Sequence, residues 1–275
     1  MPGRTSMGAL VVNQEKPVLK AVIFDWAGTM VDHGSRAPAK VFREIFRNRG
    51  IEITEAEARG PMGMAKHVHI ATIANLPRVA RLWLERYGRL PQESDVLAMY
   101  NDFLPMQKET LRQGTDVIAG AAEAVAALRQ RGIKIGSSTG YTRELMDVVV
   151  PIAAQGGYSA DVVACADDVP AGRPAPWLNF LVAQKLDVYP MSRVMVVDDT
   201  PIGIQAGLNA GAISVAVTRT GNSMGLSASD VARLPPDELQ NRLKRIEQEF
   251  LAEGAHHTIE SVANLPDLLN RLSLW

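Results

Sequence analysis

The sequence predicts an α/β protein with a Rossmann-like, doubly wound parallel sheet as its core and an all-helical cap domain inserted into that core. Short apolar segments rich in β-branched residues alternate with helical patterns along most of the chain. One long stretch after the first apolar segment has helical periodicity alone. Strands covered by helices on both faces of a parallel sheet lack polar alternation, which fits these segments. Ligands bind such sheets at the carboxyl ends of the strands.

The predicted core domain occupies residues 17–34 and 115–275. Strands are expected where the apolar runs are short and continuous, at 18–24, 133–137, 194–197 and 213–217. Helices are expected at 121–131, 142–154, 177–185, 202–210, 238–253 and 259–272. The alternation of the two kinds of segment is typical of parallel strands joined by crossover helices.

The predicted cap domain occupies residues 35–114. Helical periodicity recurs there at 41–49, 79–87 and 96–111, and no segment reads as a convincing strand. Residues 1–16 mix glycine, proline, arginine and serine with one short apolar patch, and we predict a flexible leader there.

Composition narrows the classes of partner. The chain has 275 residues, of which 47% are hydrophobic and 21% charged, and its formal net charge is −1. This balance gives no reason to expect nucleic acid or an anionic membrane as the main partner. No apolar run approaches the roughly 20 residues that a membrane-spanning helix needs. The single cysteine, Cys165, cannot form an internal disulfide and predicts a reducing, cytoplasmic location.

The first predicted strand ends in an aspartate that a tight turn follows. Asp25 precedes Trp26, Ala27, Gly28 and Thr29. The strand would hold the carboxylate rigidly, and the amides of the turn could bind a phosphoryl oxygen. Because a lone aspartate at a strand end is more often a cap or turn residue, a catalytic role depends on partners further along the chain.

Three further motifs follow in order, at 135–140 (IGSSTG), 172–174 (GRP) and 194–200 (VMVVDDT). Together with the first motif they resemble the haloacid dehalogenase superfamily. The resemblance implies that Asp25 attacks phosphorus. It also implies that the Thr139 hydroxyl, preferred here over that of Ser138, binds the phosphoryl group, and that Arg173 balances the negative charge.

The same resemblance implies a Mg²⁺ ion, a hard cation that prefers oxygen ligands. Its protein ligands would be the Asp25 carboxylate, the backbone carbonyl of Ala27 and Asp199. The second acid that the superfamily often has after this position is replaced by Gly203, so Asp198 or water would complete the metal shell.

Ala27 departs from the phosphatases of the superfamily, which usually have a second aspartate there to protonate the departing ester oxygen. A methyl group cannot act as a general acid. The leaving group must therefore depart by another route, such as an electron sink, or the protein is inactive.

A candidate electron sink lies in the predicted cap. Residues 61–69 (PMGMAKHVH) resemble the cap motif of the phosphonoacetaldehyde hydrolase family, as do the runs at 140–144 and 167–174. The resemblance implies that Lys66 forms a Schiff base with an aldehyde. His69 lies three residues further, on the same side of a helix, and would move protons. A reactive lysine needs a lowered pKa, which burial and nearby cations could supply.

This family resemblance implies a small phosphonate substrate. The residues expected to contact it are Trp26, Gly28, Thr29, Met62, Gly140 and Tyr141. It also implies a homodimer that assembles through the cap. The apolar positions around Trp83 and Leu84 could serve that contact, although an intradomain core is the other use for them.

Two other functions stay open at this point. One is a phosphatase or phosphomutase of the same superfamily, against which Ala27 argues. The other is a catalytically silent member that acts as a binding module, against which the intact Asp25, Thr139, Arg173 and Asp199 argue.

Overall fold

The structure, a computed structural model, describes residues 18–275, in which one sheet of six parallel strands forms the centre. The strands are β1 (Ala21–Phe24), β2 (Lys134–Ser138), β3 (Val162–Ala164), β4 (Val194–Asp198), β5 (Ile213–Val217) and β6 (His257–Ile259). Their order across the sheet is β3-β2-β1-β4-β5-β6, and every neighbouring pair is parallel. The predicted fold class is confirmed. The leader predicted at residues 1–16 lies outside the described residues.

Helices flank this sheet, and six of them lie between β1 and β2, of which the first five form a group. Those five are α1 (Arg36–Arg47), α2 (Glu55–Arg59), α3 (Lys66–Ala74), α4 (Pro77–Tyr87) and α5 (Glu93–Gly114). The others are α6 (Ala121–Gln130), α7 (Arg143–Gln155), α8 (Trp177–Lys185), α9 (Pro201–Asn209), α10 (Ala228–Arg233), α11 (Pro236–Ala252) and α12 (Leu265–Leu272). We call α1 to α5 the helical insertion; its division from the core at residues 35 and 115 as a separate domain remains a prediction. Within residues 18–275 no helix has the length and apolar character to cross a bilayer.

β1 lies at the centre of the sheet because its four residues are apolar and fully buried. It pairs with β2 on one side and with β4 on the other. In this register Phe24 is level with Ser137 and Val197. The residues that follow these positions therefore emerge together at one edge of the sheet, as expected for the ligand-binding edge of a parallel sheet.

Two short outer strands and one helix start differ from the sequence prediction. β3 and β6 have three residues each and are only partly buried, so neither produces a long apolar run. The helix predicted from residue 259 begins instead at Leu265. The first part of that prediction was wrong because Ile259 ends β6, where it is level with Val217 of β5. A short edge strand and the start of an amphipathic helix have similar apolar content.

The helical insertion has an aromatic centre. Phe42 of α1 stacks on Phe103 of α5, with ring centroids 4.8 Å apart, and on His69 of α3, at 3.7 Å. All three side chains are fully buried. This packing fixes the orientation of α3, whose first residue is Lys66.

The chain enters the insertion through residues 32–35, which we call the linker segment. Asp32, Gly34 and Ser35 have left-handed backbone conformations, with φ values of 53°, 86° and 48°. The Asp32 carboxylate accepts hydrogen bonds from the backbone N–H groups of Arg36 and Ala37, at 3.1 and 3.0 Å. Asp32, the first residue of the linker segment, therefore caps the first turn of α1 with its side chain.

Phe103→Ala should lower the free energy of unfolding by about 3–5 kcal/mol, because it removes a buried ring and leaves a cavity between α1 and α5. Asn101→Ala on the same helix is the control, since Asn101 is exposed. That control should change the free energy by no more than about 0.5 kcal/mol. Urea unfolding of the two variants makes the comparison, and equal effects would contradict the packing described here.

Candidate active site

Three carboxylates meet at the carboxyl ends of β1 and β4. Asp25 directly follows β1, Asp198 ends β4, and Asp199 is the next residue. One carboxylate oxygen from each lies within 4.8 Å of the others, and all three side chains are buried. The paired register of β1 and β4 explains this convergence, since both strands end at the same level.

Arg173, which lies before α8, is the cation of this cluster. Its Nη1 donates a hydrogen bond to Asp25 Oδ1 at 2.7 Å and lies 3.0 Å from Asp198 Oδ2. Its Nη2 donates to the backbone oxygen and the hydroxyl of Ser138, at 2.7 and 2.8 Å. The guanidinium thus joins the ends of β1, β2 and β4.

One guanidinium does not neutralise three buried carboxylates, and the pKa values reflect this. Burial and the Asp198 carboxylate raise the pKa of Asp25 to about 7, against the opposing effect of Arg173. Burial, followed by the charge of Asp25, raises the pKa of Asp199 well above its usual range. A set of oxygen donors with excess negative charge fits a hard divalent cation. The cluster could therefore bind such a metal.

Asp199 is held from two sides. The Thr29 hydroxyl donates to its Oδ1 at 3.3 Å, and the backbone N–H of Asn222 donates to its Oδ2 at 2.7 Å. Gly28 lies directly beneath, with φ of 88°, and a Cβ there would come within 2.0 Å of Asp199 Oδ2. Only glycine allows the turn to pass so close to the carboxylate.

Asp198 occupies the space that a side chain at position 203 would need. A Cβ on Gly203 would lie 1.9 Å from Asp198 Cγ. The Asp198 carboxylate is fixed there by the Thr200 backbone N–H and hydroxyl, which donate to its Oδ1 at 2.9 and 2.7 Å. The Asp198 carboxylate therefore belongs to the cluster of three carboxylates.

The turn after Asp25 uses its amides differently from the sequence expectation. The N–H of Gly28 donates to Val31 O at 2.7 Å, and the N–H of Thr29 donates to Trp26 O at 3.2 Å. Because the turn closes on itself, these two amides are not free for a phosphoryl oxygen. The Trp26 indole packs against Tyr158, with ring centroids 5.0 Å apart in the hydrophobic core. A substrate contact by Trp26 would therefore involve its backbone.

The loop after β2 carries the predicted hydroxyl and faces the helical insertion. Thr139 is buried, and its Oγ1 accepts a hydrogen bond from the N–H of Tyr141 at 3.1 Å. A Cβ on Gly140 would lie 2.5 Å from the backbone oxygen of Met64. The backbone of the insertion therefore lies against the backbone of this loop, and a side chain at position 140 would not fit between them.

The loop between α2 and α3, residues 60–65, lies over the same edge of the sheet. A Cβ on Gly63 would lie 2.5 Å from Oγ1 of Thr200, the residue that follows Asp199 in the sequence. Met62, predicted to contact the substrate, is buried in this loop. The insertion thus closes over the ends of the strands.

Lys66 starts α3 and lies between two aromatic rings. Its Nζ is 4.7 Å from the centroid of Tyr141 and 5.7 Å from that of Phe42, and the side chain is buried. Burial lowers the pKa of Lys66 to about 8, and Arg173 adds to this effect while Asp25 opposes it. A substantial share of this amine is therefore neutral near physiological pH, unlike that of an exposed lysine.

His69 is buried one helical turn after Lys66. Its Nε2 lies 2.9 Å from Ala58 O, a carbonyl that can only accept, so Nε2 carries the proton and Nδ1 has the lone pair. Within residues 18–275 this Nδ1 has no hydrogen-bond partner. Burial and the charge of Lys66 lower the pKa of His69 well below its usual range. The imidazole is neutral and has one unused acceptor atom.

The structure thus brings Lys66, from the insertion, and Tyr141, from the core, next to the carboxylate cluster. Sequence reasoning missed Ser138 as a partner of Arg173, although it adjoins the chosen Thr139. It also missed Asn222, which acts through its backbone N–H and therefore carries no residue-type signal.

Comparisons with known proteins agree with this geometry. The family model of haloacid dehalogenase-like hydrolases matches residues 19–211. A phosphonoacetaldehyde hydrolase from Bacillus cereus is 44% identical over 92% of this chain and 96% of its own length. One from Paraburkholderia phytofirmans is 46% identical, over 90% and 92% of the two chains. A crystal structure of a phosphonoacetaldehyde hydrolase-like protein from Oleispira antarctica is 38% identical, with a TM-score of 0.91 over 94% of this chain and 93% of that one.

Gly203→Ala should weaken the binding of a divalent cation by about tenfold or more, because the new methyl group must displace the Asp198 carboxylate. A glycine-to-alanine change inside a helix otherwise stabilises by about 0.5–1 kcal/mol. Gly114→Ala, where a Cβ meets no atom within 4 Å, is the control. Calorimetric titration with a divalent cation measures both variants, and wild-type affinity in Gly203→Ala would show that Asp198 does not shape the site.

Proposed function

This chain belongs to the haloacid dehalogenase-like hydrolases and, within them, to the phosphonoacetaldehyde hydrolase family, and we propose that it hydrolyses the carbon–phosphorus bond of phosphonoacetaldehyde to acetaldehyde and phosphate. The observation that carries the proposal is the buried Lys66, whose amine faces a carboxylate cluster and has a lowered pKa. A phosphonate that also carries an aldehyde could react with both the lysine and the carboxylate cluster. Its carbonyl carbon suits a neutral amine, and its phosphorus suits a carboxylate nucleophile.

The first half of the proposed reaction prepares the electron sink. The neutral amine of Lys66 adds to the aldehyde carbon, and loss of water leaves an imine that carries a proton on nitrogen. The neutral His69, with its unused Nδ1, supports the role of proton carrier for this addition and dehydration. Tyr141 stays protonated, because burial raises the pKa of its hydroxyl well above the usual range. Its ring beside Lys66 helps to keep water from the amine.

The second half breaks the carbon–phosphorus bond. A carboxylate oxygen of Asp25 attacks phosphorus, and the electron pair of the broken bond moves toward the imine nitrogen, which gives an enamine. Water then releases phosphate from the aspartyl phosphate. Protonation of the enamine at carbon and hydrolysis of the resulting imine release acetaldehyde and restore Lys66.

The remaining residues of the site hold the phosphoryl group. Arg173, already bonded to Asp25, and the Thr139 hydroxyl would face its oxygens. Asp25, Asp199 and the Ala27 carbonyl would hold Mg²⁺, with Asp198 close enough to contribute. When bound, the ion would neutralise negative charge between two anionic reactants. The fit of the site to this ion rests on the oxygen donors and on the excess negative charge of the cluster.

Ala27 favours the phosphonate over a phosphate ester. A departing ester oxygen needs an acid, whereas the carbon leaving group departs through the imine on Lys66. This argues against a phosphatase or a phosphomutase. The intact set of Asp25, Arg173 and Asp199 argues against a catalytically silent binding member.

We also propose a homodimer that assembles through the helical insertion. Several large apolar side chains are exposed on its surface, namely Val68, Leu84, Tyr87, Leu90 and Leu97. Trp83, by contrast, is buried in the core of the insertion, so of the two positions considered from the sequence only Leu84 is available for a contact.

We also propose a cytoplasmic location, which rests on the single cysteine. That cysteine is buried and unpaired.

Borohydride added with acetaldehyde should inactivate the enzyme and attach a two-carbon group to Lys66, because reduction traps the imine. Lys66→Arg keeps the charge but cannot form an imine, so its turnover should fall by about 10³-fold or more. Lys40→Arg, at an exposed position of α1, is the control and should behave as wild type. Peptide mass spectrometry locates the label. Turnover by Lys66→Arg within tenfold of wild type would contradict the imine mechanism.

The pH dependence of kcat/KM should follow the ionisation of Lys66. The amine is reactive only when neutral, so kcat/KM should rise with pH and level off above a pKa of about 8. An unperturbed lysine would place this limb near pH 10.5. A steady-state pH profile measures the limb, and a rise that continues past pH 10 would show that burial does not activate the lysine.

A further inference from the structure

We propose that Arg59 is a positioning residue, a latch that holds the helical insertion closed over the active site and links that closure to the orientation of Asp199. The proposal rests on the proposed function, because it concerns the same site. Arg59 is the last residue of α2, and its side chain is only 13% exposed. No catalytic step described above uses it.

The Arg59 guanidinium first ties α2 to the linker segment. Its Nη1 donates to the backbone oxygens of Gly34 and Ser35, at 2.9 and 3.3 Å. Its Nε donates to Glu55 Oε1 at 2.7 Å, one turn earlier on α2, which sets the direction of the side chain. Two carbonyls of the left-handed linker segment thus have a charged donor.

The same side chain also reaches residues 220–225 of the core, which we call the core loop. Nη1 donates to the side-chain oxygen of Asn222 at 3.0 Å, and Nη2 donates to Gly225 O at 3.2 Å. In return, Asn222 Nδ2 donates to the backbone oxygen of Arg59 at 3.4 Å. Arg59 therefore joins the insertion, the linker segment and the core loop at one point.

The core loop leads directly to the reacting groups. The Asn222 backbone N–H donates to Asp199 Oδ2 at 2.7 Å, and the Thr220 hydroxyl donates to Gly28 O, in the turn after Asp25, at 2.8 Å. The N–H of Gly34 also donates to Thr220 O at 2.7 Å. A displacement of the core loop would therefore move a hydrogen-bond donor of Asp199.

The backbone of Arg59 extends the connection toward Lys66. The N–H of Met62 donates to Arg59 O at 3.0 Å, and Met62 belongs to the loop that covers the cluster and leads into α3. If the insertion moves away from the sheet, the bonds of Arg59 to Asn222 and Gly225 break together, whereas the bond between Met62 and Arg59 moves with the insertion. The arrangement of Asp199 and the approach of Lys66 are thus stabilised by one residue, and only in the closed state.

Arginine suits this position because its planar fork presents several N–H donors in different directions. Lysine has one nitrogen and cannot reach acceptors on three segments at once. We therefore expect Arg59→Lys to retain part of the effect and Arg59→Ala to retain least. Arg78→Ala is the matched control, since Arg78 is also in the insertion but bonds to Glu57 and to Glu52 O within the insertion itself.

The test combines three readouts on the full-length protein. In Arg59→Ala, amide hydrogen exchange at residues 32–37 and 220–225 should become at least tenfold faster. Its Mg²⁺ affinity by calorimetry should fall by about 10- to 100-fold, and kcat on phosphonoacetaldehyde should fall by a similar factor. Added guanidinium ion should restore part of kcat. Arg78→Ala should match wild type in all three readouts.

The latch is overturned if Arg59→Ala keeps wild-type exchange at 220–225 and wild-type Mg²⁺ affinity. If Arg59→Ala does not fold, Arg59→Lys and Asn222→Ala decide the question in the same readouts, because the second removes the side-chain acceptor and keeps the backbone donor of Asp199. A wild-type protein without activity on phosphonoacetaldehyde would refute the proposed function. Hydrogen exchange would still decide on the latch, since it requires no turnover.

Discussion

The site depends on the charge balance between one buried guanidinium and three buried carboxylates. Arg173 contacts Asp25 and Asp198 and the end of β2, so it determines where each of these groups lies. Buried charges persist only when they are paired and hydrogen-bonded, and this set has three carboxylates for one guanidinium, which raises the pKa values of Asp25 and Asp199. That excess creates a place for a divalent cation. It also requires rigid strand ends, because a mobile loop could not hold like charges so close together.

The two halves of the site come from distant parts of the chain. The sheet supplies the carboxylates, while the helical insertion supplies Lys66 from the start of α3. Burial lowers the pKa of that lysine and thereby makes part of its amine neutral, and in our proposal this neutral amine is the nucleophile, so the chemistry needs the arrangement that buries it. In our proposal the chemistry and the closure are therefore linked, because an open insertion would return the amine to water and raise its pKa.

The sequence predicted the parts of the site that depend on local pattern and missed those that depend on distant contacts. Asp25 and Asp199 follow apolar strands, and such strands are visible in a single sequence. The bonds of Asn222 and Arg59 reach backbone groups far along the chain, and no spacing rule reveals them. The amides of the turn after Asp25 were expected to bind a phosphoryl oxygen, whereas those of Gly28 and Thr29 donate within the turn. The edge strands β3 and β6 have three residues each, which is too short for a recognisable pattern of apolar residues.

The central claim is that Lys66 supplies the route by which the leaving group departs, in place of the acid that Ala27 lacks. The most direct measurement compares kcat/KM for phosphonoacetaldehyde and for glycolaldehyde phosphate, which has the same aldehyde but an ester oxygen before phosphorus. Both can form the imine, yet only the carbon leaving group is conjugated with it. We predict that the ester is slower by about 10²–10⁴-fold, the usual contribution of a general acid. Equal values would contradict the account, because the imine would then have no part in bond cleavage.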